Sequence, residues 1–252
     1  MIIGIVIVCT NSYFVLGLRF VKKFVNHYKG SAKLQFYLFS DTDPTPYLPN
    51  IEVRYFNTEH KSWQDGANSR FSNILKLIEF KCDYLYYFDA DTNIVNDFNE
   101  NWFLGDLVGG EHFANANRMK DVKDYDRNPE SRAYIPFDTK LNQIYYLGAF
   151  FGGRKGRVID FCRVLYSNQI KDKLINYEPV WNDESYTNNF FHYNPPDLTI
   201  MFKDFEFVTS DKGGISIDHD IKSKVDLEEI KKMLLEHNNK VFDLQNGHVI
   251  FT

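Results

Sequence analysis

Residues 2–28 read IIGIVIVCTNSYFVLGLRFVKKFVNHY, and this stretch decides the fold. Residues 2–9 form a continuous apolar run rich in β-branched side chains, which is typical of a strand buried on both faces. The residues after it place apolar side chains at helical spacing, and Gly30 stands where a glycine would cap the helix. A buried strand followed directly by an amphipathic helix predicts the first unit of an α/β sheet. The apolar stripe of the helix consists of Phe14, Leu18, Val21, Val25 and Tyr28.

The alternation of strands and helices continues along the chain. Further strands are predicted where short apolar runs lie between turn-rich segments, at residues 34–40, 51–56, 84–88 and 144–153. Helices are predicted where apolar residues recur at helical spacing, at residues 71–78, 155–175, 183–193 and 226–238, and residues 111–142 are predicted to be a long polar loop. The fold class is therefore α/β, with a mixed, mostly parallel sheet and flanking helices. Because no repeat or linker interrupts the pattern, we expect a single domain over residues 1–252.

The composition limits the class of protein. The chain has 252 residues, of which 44% are hydrophobic and 25% charged, and this suits a globular protein with a sizeable core. The formal net charge is −5 without a long basic run, so no nucleic acid is expected as a partner. The N-terminal apolar run is short and lacks a basic region before it, so neither a signal peptide nor a membrane anchor is expected. Cys9, Cys82 and Cys162 form no CxxC pair, which indicates thiols in a reducing compartment and a soluble, cytoplasmic protein.

Two aspartates, Asp89 and Asp91, directly follow the strand predicted at 84–88. Ligands of α/β sheets bind at the carboxyl ends of strands, and Cys9 and Thr10 lie at another such end. Two carboxylates at one edge repel each other unless a cation lies between them. Mg²⁺ or Mn²⁺ held by one or two carboxylates and by substrate phosphates is common in nucleotide sites. The pair is therefore interpreted as a metal clamp.

Three other interpretations of the aspartate pair fit less well. A calcium-binding EF-hand loop needs glycine where Ile94 stands, and it needs a helix where the strand precedes the pair. A phosphatase that forms an aspartyl phosphate would use the first aspartate as its nucleophile, but its motif has Thr or Val where Asn93 stands. If the aspartates only cap a turn, the repulsion between them is left uncompensated.

Five motifs occur in the order in which one known family has them. They are Trp63-Gln64-Asp65 with Arg70, Asp89-Ala90-Asp91, Ala133-Tyr134-Ile135-Pro136, YYLGAFFGG at 145–153, and Trp181-Asn182-Asp183-Glu184-Ser185. Over about residues 3–200 the chain resembles glycosyltransferase family 6, which includes the histo-blood-group A and B transferases and α-1,3-galactosyltransferase. The resemblance implies a GT-A fold and transfer of galactose or N-acetylgalactosamine from a UDP-sugar to a glycan hydroxyl, in α-1,3 linkage and with retention of configuration. It also implies a donor-binding part at about 1–110 and an acceptor-binding, catalytic part at about 111–252.

The resemblance also assigns a donor site. Asp89 and Asp91 would hold Mn²⁺, for which Mg²⁺ is a possible substitute, and Arg70 would meet the diphosphate. Asp183 would bind hydroxyls of the donor sugar. The other implied donor-binding residues are Val8, Cys9, Thr10 and Tyr13 at the uridine, Ala90 between the metal ligands, and Leu147, Gly148 and Ala149 at the sugar. In this tripeptide Leu147 matches the enzyme specific for N-acetylgalactosamine, whereas Ala149 matches the one specific for galactose and favours galactose slightly.

Catalysis and acceptor binding are assigned by the same resemblance. Glu184 would act on the donor sugar, either as a nucleophile or as an anion that stabilises a positively charged state of the sugar. The acceptor, an oligosaccharide, would contact His112, Asp124 and Trp181. His112 lies in the segment EHFA at 111–114, which replaces the family's His-Pro-Gly-Phe. The match is poor after residue 200, where Lys222 and Lys224 are candidates for a basic tail that closes over UDP.

The N-terminal anchor of the animal enzymes is not found in this sequence, which favours a soluble bacterial or viral member acting in the bacterial or infected-cell cytoplasm. An alternative function is a noncatalytic carbohydrate-binding protein on a degenerate transferase scaffold. Arg70, Asp89, Asp91 and Glu184 favour the enzyme, because a lectin needs no phosphate clamp.

Overall fold

A computed structural model gives the fold of residues 1–94, 96–112, 125–137 and 144–203, together with the backbone of five short strands beyond them. Three of the predicted site residues, Asp124, Lys222 and Lys224, lie outside the described residues, as does the helix predicted at 226–238. Within the described part of the chain, no helix combines the length and the apolar character needed to cross a bilayer.

A single mixed sheet forms the centre of the described structure. Its order is β10-β9-β8-β6-β7-β4-β1-β2-β3, and two further pairs, β11 with β5 and β12 with β13, form small separate sheets. The strands are β1 (Ile2–Val8), β2 (Lys33–Ser40), β3 (Val53–Asn57), β4 (Tyr84–Phe88), β5 (Asn93–Ile94), β6 (Leu107–Glu111), β7 (Tyr146–Arg154), β8 (Leu198–Lys203), β9 (Glu206–Thr209), β10 (Gly213–Ile215), β11 (Ile217–Asp218), β12 (Phe242–Gln245) and β13 (His248–Phe251).

Parallel pairing is concentrated on one side of the sheet. β1 pairs in parallel with both β2 and β4, and β2 pairs in parallel with β3. β7 runs antiparallel to both β4 and β6, and β6 pairs in parallel with β8. The α/β class with a mixed sheet and flanking helices is confirmed. The carboxyl ends of β1 and β4 lie side by side, which brings the two predicted ligand-binding ends together.

The register between β6 and β7 is irregular. Gly109 lies opposite Phe151, whereas Glu111 lies opposite Tyr146, so β7 places more residues between the two pairs than β6 does. Residues 147–150 therefore bulge away from regular pairing with β6. Gly148, which binds two side chains of the candidate site, lies in this bulge.

Five α-helices of the described chain pack on the two faces of the sheet. They are α1 (Tyr13–His27), α2 (Trp63–Asn68), α3 (Arg70–Leu75), α4 (Lys155–Leu174) and α5 (Asn182–Tyr193). One apolar cluster joins α1 to its face of the sheet, and a second joins α3, α4 and α5 to the opposite face. The predicted helices at 155–175 and 183–193 agree closely with α4 and α5. Val25 of the predicted α1 stripe is 39% exposed, while Phe14, Leu18 and Val21 are buried.

Gly30 does not cap α1, contrary to the prediction. The helix ends at His27, and Tyr28 follows it in an extended conformation. A Cβ on Gly30 would overlap Oε2 of Glu100. That carboxylate accepts hydrogen bonds from the Tyr28 hydroxyl at 2.8 Å and from the backbone N of Ser31 at 3.2 Å. Gly30 is therefore required by the close approach of Glu100 and not by the helix end.

β6 is a strand that the sequence does not predict. Its five residues, LVGGE, include two glycines and show no alternation, yet all five are buried between β7 and β8. The two neighbouring strands, and not local propensity, determine its conformation.

Candidate active site

A cavity of about 610 Å³ opens at the carboxyl ends of β1 and β4. Thr10 and Tyr13 line it from the turn between β1 and α1, and Asp89 and Asp91 line it from the end of β4. The remaining wall is α2 and the start of α3, where Arg70 reaches the cavity. The volume is in the range of small-molecule and cofactor sites. The sheet topology thus brings the predicted uridine, diphosphate and metal residues to one place.

Arg70 is at the centre of a buried ionic cluster. Its Nη1 donates to Oδ2 of Asp183 and to the backbone O of Gly148, both at 2.7 Å. Its Nη2 lies 3.0 Å from Oδ1 of Asp89. The guanidinium carbon stands 5.1 Å from the ring centroid of Tyr87, over the ring face. Arg70 therefore ties the start of α3 to β4, β7 and α5 simultaneously.

Glu184 is held against the backbone of β7. Its Oε2 accepts a hydrogen bond from the backbone N of Gly148 at 2.6 Å, while Arg70 binds the backbone O of the same residue. A Cβ on Gly148 would lie 2.8 Å from Arg70 Nη1 and 3.1 Å from Asp183 Oδ2. Only glycine leaves room for both side chains to reach the strand. Because residues 147–150 do not pair regularly with β6, the N–H and the C=O of Gly148 can bind Glu184 and Arg70.

The cluster contains more negative than positive charge. Asp89 and Asp183 both contact one guanidinium, Glu184 adds a third carboxylate nearby, and Asp183 is only 3% exposed. Burial raises the pKa of Asp183 to about 7, which Arg70 opposes and which the neighbouring carboxylates Asp89 and Glu184 reinforce. Burial disfavours the charged form of Arg70, but Asp183 and Asp89 outweigh it and raise the pKa of the guanidinium. A further cation or a proton at this cluster would offset the excess negative charge.

Asp89 and Asp91 are the residues that fit a divalent cation. Asp89 Oδ1 accepts from the Tyr87 hydroxyl at 2.7 Å, and the backbone N of Asp89 donates to Ala149 O at 2.9 Å, which fixes the position of the carboxylate. Among the described residues, no three His, Cys, Asp or Glu side chains converge into a complete cation cage. Two carboxylates at a nucleotide-sized cavity suit an ion whose other ligands are phosphates and water.

Some of the predicted donor residues face the core instead of the cavity. Cys9 packs beneath α1, where a Cβ on Gly17 would lie 2.7 Å from its Sγ, and burial raises the pKa of its thiol to about 12. Leu147 and Ala149 are 4% and 5% exposed and belong to the apolar cluster on the α1 face. Of the predicted tripeptide, Gly148 contacts the side chains of Arg70 and Glu184, whereas Ala149 contacts the cluster only through its backbone O. Val8, Thr10, Tyr13 and Ala90 do line the cavity.

The predicted acceptor residues lie on two separate elements. Trp181 directly precedes α5, is 51% exposed, and donates its backbone N to Ser185 Oγ at 3.0 Å. His112 follows β6, and its ring packs edge-on against Tyr145. Glu184 lies in the first turn of α5, close in sequence to the exposed Trp181. An exposed indole beside the carboxylate is suited to stacking on a sugar ring.

Several residues at the cavity were not predicted from the sequence. His60 Nδ1 lies 3.1 Å from Thr10 Oγ1, and the His60 backbone O accepts from Asn11 Nδ2 at 3.1 Å. Lys61 and Ser62 line the cavity beside them. The Ser62 side chain accepts from the backbone N of Asp65 and so caps α2. The Ser-x-x-Asp spacing is a capping signal that would have located this wall.

With this geometry established, comparison with known proteins identifies the family. The model of the family described as glycosyltransferase family 6 matches residues 1–210. The chain belongs to glycosyltransferase family 6. The resemblance seen in the five motifs is thereby confirmed, and the chain is a hexosyltransferase of this family.

Relatives in glycosyltransferase family 6 come from bacteria and vertebrates. The O-antigen biosynthesis glycosyltransferase WbnI of Escherichia coli is 28% identical over 204 residues, which cover 79% of this chain and 85% of that protein. The histo-blood group ABO system transferase 2 of Rattus norvegicus is 28% identical over 203 residues, covering 77% of this chain and 60% of that protein. The globoside alpha-1,3-N-acetylgalactosaminyltransferase 1 of Gallus gallus is 27% identical over 205 residues, which cover 77% of this chain and 58% of that protein. The chain thus spans less than two thirds of these vertebrate relatives.

Proposed function

We propose that this family 6 transferase moves galactose or N-acetylgalactosamine from a UDP-sugar to a hydroxyl of a glycan acceptor, with retention of configuration and in α-1,3 linkage. The observation that supports it best is the cluster in which Arg70 joins Asp89 to Asp183 beside the Gly148–Glu184 contact. At one edge of the sheet, the proposal assigns Arg70 to the diphosphate, Asp89 to the metal, and Asp183 and Glu184 to the donor sugar.

The nucleotide half of the donor is assigned to the cavity. Tyr13 at the start of α1 offers a ring for stacking on uracil, and Thr10 is small enough to let the base approach. Lys61 and Arg70 also line the cavity, where their positive charges would meet the phosphates. A cavity lined by both aromatic and cationic side chains suits the base and the phosphates of a nucleoside diphosphate.

The metal is assigned to Asp89 and Asp91. We expect Mn²⁺, with Mg²⁺ as a possible substitute, and such an ion supplies a Lewis acid that stabilises negative charge on the departing diphosphate. Tyr87 and Arg70 hold the Asp89 carboxylate in a fixed position before any donor arrives. The excess negative charge of the cluster favours binding of the cation.

The donor sugar is assigned to the side of the cluster formed by α5. The Asp183 carboxylate, oriented by Arg70, would accept hydrogen bonds from sugar hydroxyls. Glu184 is anchored through Oε2 to Gly148 N, so its negative charge is held in place against β7. There it would face the positive charge that grows on the sugar as UDP leaves, either as nucleophile or as stabilising anion. Trp181 and His112 would bind the acceptor sugar.

We also propose that the protein acts in the cytoplasm, in solution. The three cysteines are free thiols, two of them buried, which suits a reducing compartment.

Release of UDP from a UDP-sugar tests the proposal directly. The chain is incubated with Mn²⁺ and either UDP-galactose or UDP-N-acetylgalactosamine, and free UDP is measured with and without a panel of glycan acceptors. Acceptor-dependent release supports the proposal, and NMR of the product reports the linkage and the anomeric configuration. Binding of glycans without any release of UDP from either donor would indicate a noncatalytic carbohydrate-binding protein instead.

A further inference from the structure

A second cavity, of about 730 Å³, lies on the other face of α2 from the donor cavity. Gly66, Ala67 and Arg70 face the donor cavity, whereas Asn68 and Ser69 face this second space. Its other walls are the C-terminal half of α4 and the segment 176–179 that leads to α5. We call this space the α2–α4 groove.

The helices that form the α2–α4 groove, α2, the start of α3 and α4, turn polar side chains toward it. On α4 they are Tyr166, Gln169 and Lys173, which follow one another at helical spacing. On α2 and α3 the spacing is again helical, with Asp65, Asn68, Ser69 and Ser72.

Adjacent helices usually bury apolar faces against each other, and α4 reverses that pattern in its second half. Gln169 is only 4% exposed, whereas Ile170 and Leu174 are 43% and 78% exposed. The first half of α4 follows the usual pattern, with Val158 and Cys162 buried in the core. Burying polar side chains while leaving apolar ones exposed costs stability. Gln169 is therefore held at the groove by hydrogen bonding and not by apolar packing.

Hydrogen bonds preorganise the groove across its width. Gln169 Nε2 donates to Asn68 Oδ1 at 3.4 Å, and Asn68 Nδ2 donates to Glu178 Oε1 at 3.1 Å. This chain of two amides and one carboxylate joins α4, α2 and the segment before α5. The first of these contacts is long, so a ligand hydroxyl can replace it at little cost. The ligand groups that match amides and carboxylates in this way are hydroxyls.

The charge and the rings of the groove indicate the class of ligand. Among its described lining residues, Lys173 is offset by two carboxylates, Asp65 and Glu178, so an anion is disfavoured. Tyr166, which is 37% exposed, and Tyr177 add aromatic surfaces. Hydrogen-bonding amides and carboxylates combined with aromatic surfaces suit a neutral sugar.

We propose that the α2–α4 groove binds neutral sugar residues of the glycan acceptor, at a distance from the hydroxyl that reacts at Glu184. The groove and the reaction centre share two elements. α2 separates the groove from the donor cavity, and Tyr186, which lines the groove, lies one turn beyond Asp183 on α5. The segment 176–179 leads directly to the exposed Trp181. This inference rests on the proposed glycan acceptor.

Binding of oligosaccharides to groove variants tests the inference. The probes are fluorescently labelled neutral oligosaccharides of short, medium and greater length, titrated into the full chain in the presence of saturating UDP and Mn²⁺. The variants are Gln169→Leu, which removes the buried amide, and Tyr166→Ala at a more exposed position that does not threaten folding. Lys171→Ala, on an exposed part of the same helix, is the matched control.

We expect the wild-type protein to bind longer oligosaccharides more tightly than short ones. Both groove variants should weaken that binding by about tenfold, with the Lys171→Ala control unchanged and the affinity for UDP preserved. Probe binding that is unaffected by both groove variants, or that is abolished by Trp181→Ala alone, would overturn the inference. So would a wild-type protein that releases UDP on a long acceptor but binds long and short probes equally. If no UDP is released under any condition, the proposed function fails, while the binding measurement still reports on the groove.

Discussion

Nη1 of Arg70 lies 2.7 Å from Oδ2 of Asp183, and the two side chains are 8% and 4% exposed. The pair connects the first residue of α3 with the first turn of α5 across the end of the sheet. Because the ion pair is almost fully buried, the attraction between the two charges must offset the cost of desolvating each of them. The pair therefore has a structural role in addition to the one proposed for it with the donor.

Breaking this pair from one side should destabilise the fold. Arg70→Met leaves Asp183 and Asp89 buried without their cation, and we expect the free energy of unfolding to fall by about 3–5 kcal/mol. Adding Asp183→Asn to Arg70→Met should recover part of the loss, since it removes one uncompensated charge. Urea unfolding of the single and double variants measures both quantities. Losses that simply add in the double variant would show that the two side chains are not coupled.

Metal removal should abolish transfer. We expect EDTA to stop the release of UDP and added Mn²⁺ to restore it, because Asp89 and Asp91 would hold the cation at the diphosphate. Asp91→Asn should weaken Mn²⁺ binding measured by electron paramagnetic resonance in the presence of UDP, a readout that does not depend on turnover. Asp43→Asn, on an exposed turn, is the control. Full turnover in EDTA would contradict the prediction.

Glu184→Gln should separate catalysis from binding. The substitution keeps the shape of the side chain but removes the charge that would face the sugar, so kcat should fall by about 10²–10³-fold or more. The affinity for UDP, measured by calorimetry, should change little. Glu130→Gln at an exposed turn serves as the control and should leave both unchanged. A collapse of UDP affinity with kcat preserved would instead assign Glu184 a binding role.

The contact between His60 and Thr10 should position the turn that binds the nucleotide. The His60 ring and its backbone O fix Thr10 and Asn11, so His60→Ala should weaken UDP binding by about fivefold, the effect of one hydrogen bond. His60→Asn should restore much of the affinity, because an asparagine amide can occupy the position of Nδ1, whereas His60→Gln should not. Thr10→Val combined with His60→Ala should be no worse than either alone. UDP affinity equal to that of wild type in all of these variants would show that the contact has no role in binding.

Glu100 should make stability depend on acid pH. Burial opposes its ionisation, but hydrogen bonds from the Glu100 backbone, the Tyr28 hydroxyl and Ser31 outweigh burial and lower its pKa from 4.5 to about 2. Because the pKa is lowered by folding, the ionised carboxylate of Glu100 stabilises the fold fully above pH 4.5. This stabilisation is lost as the pH falls toward 2. The difference in unfolding free energy between wild type and Glu100→Gln should therefore shrink across this range. A difference that does not vary with pH would contradict the assignment.

The sequence predicted those parts of the fold that depend on local pattern. The strand at residues 2–9, the helix after it and the aspartates after β4 all follow from runs and spacings within a few residues. Gly30 and β6 could not be predicted in this way. The close approach of Glu100 determines the first, and the strands on either side determine the second. Both depend on partners that are distant in the chain.

For the candidate site, too, the sequence located residues but not the contacts between distant parts of the chain. The motifs located Arg70, Asp89, Asp183 and Glu184 along the chain, but a motif does not report that one guanidinium serves several carboxylates. It also does not report which side of a strand a residue faces, and Leu147 and Ala149 turned out to pack in the core. The contact of His60 with Thr10 spans 50 residues of sequence and carries no local signal.

The irregular register of β7 also has a consequence for engineering. The peptide of Gly148 gives its N–H to Glu184 and its C=O to Arg70 because residues 147–150 are out of step with β6. A deletion in this stretch would change the bulge, and the side chains of Glu184 and Arg70 would lose their anchor on the Gly148 peptide. We expect such a variant to lose the geometry of the proposed active site. An engineered variant that is meant to keep the proposed activity should therefore keep the length of β7 between Tyr146 and Phe151.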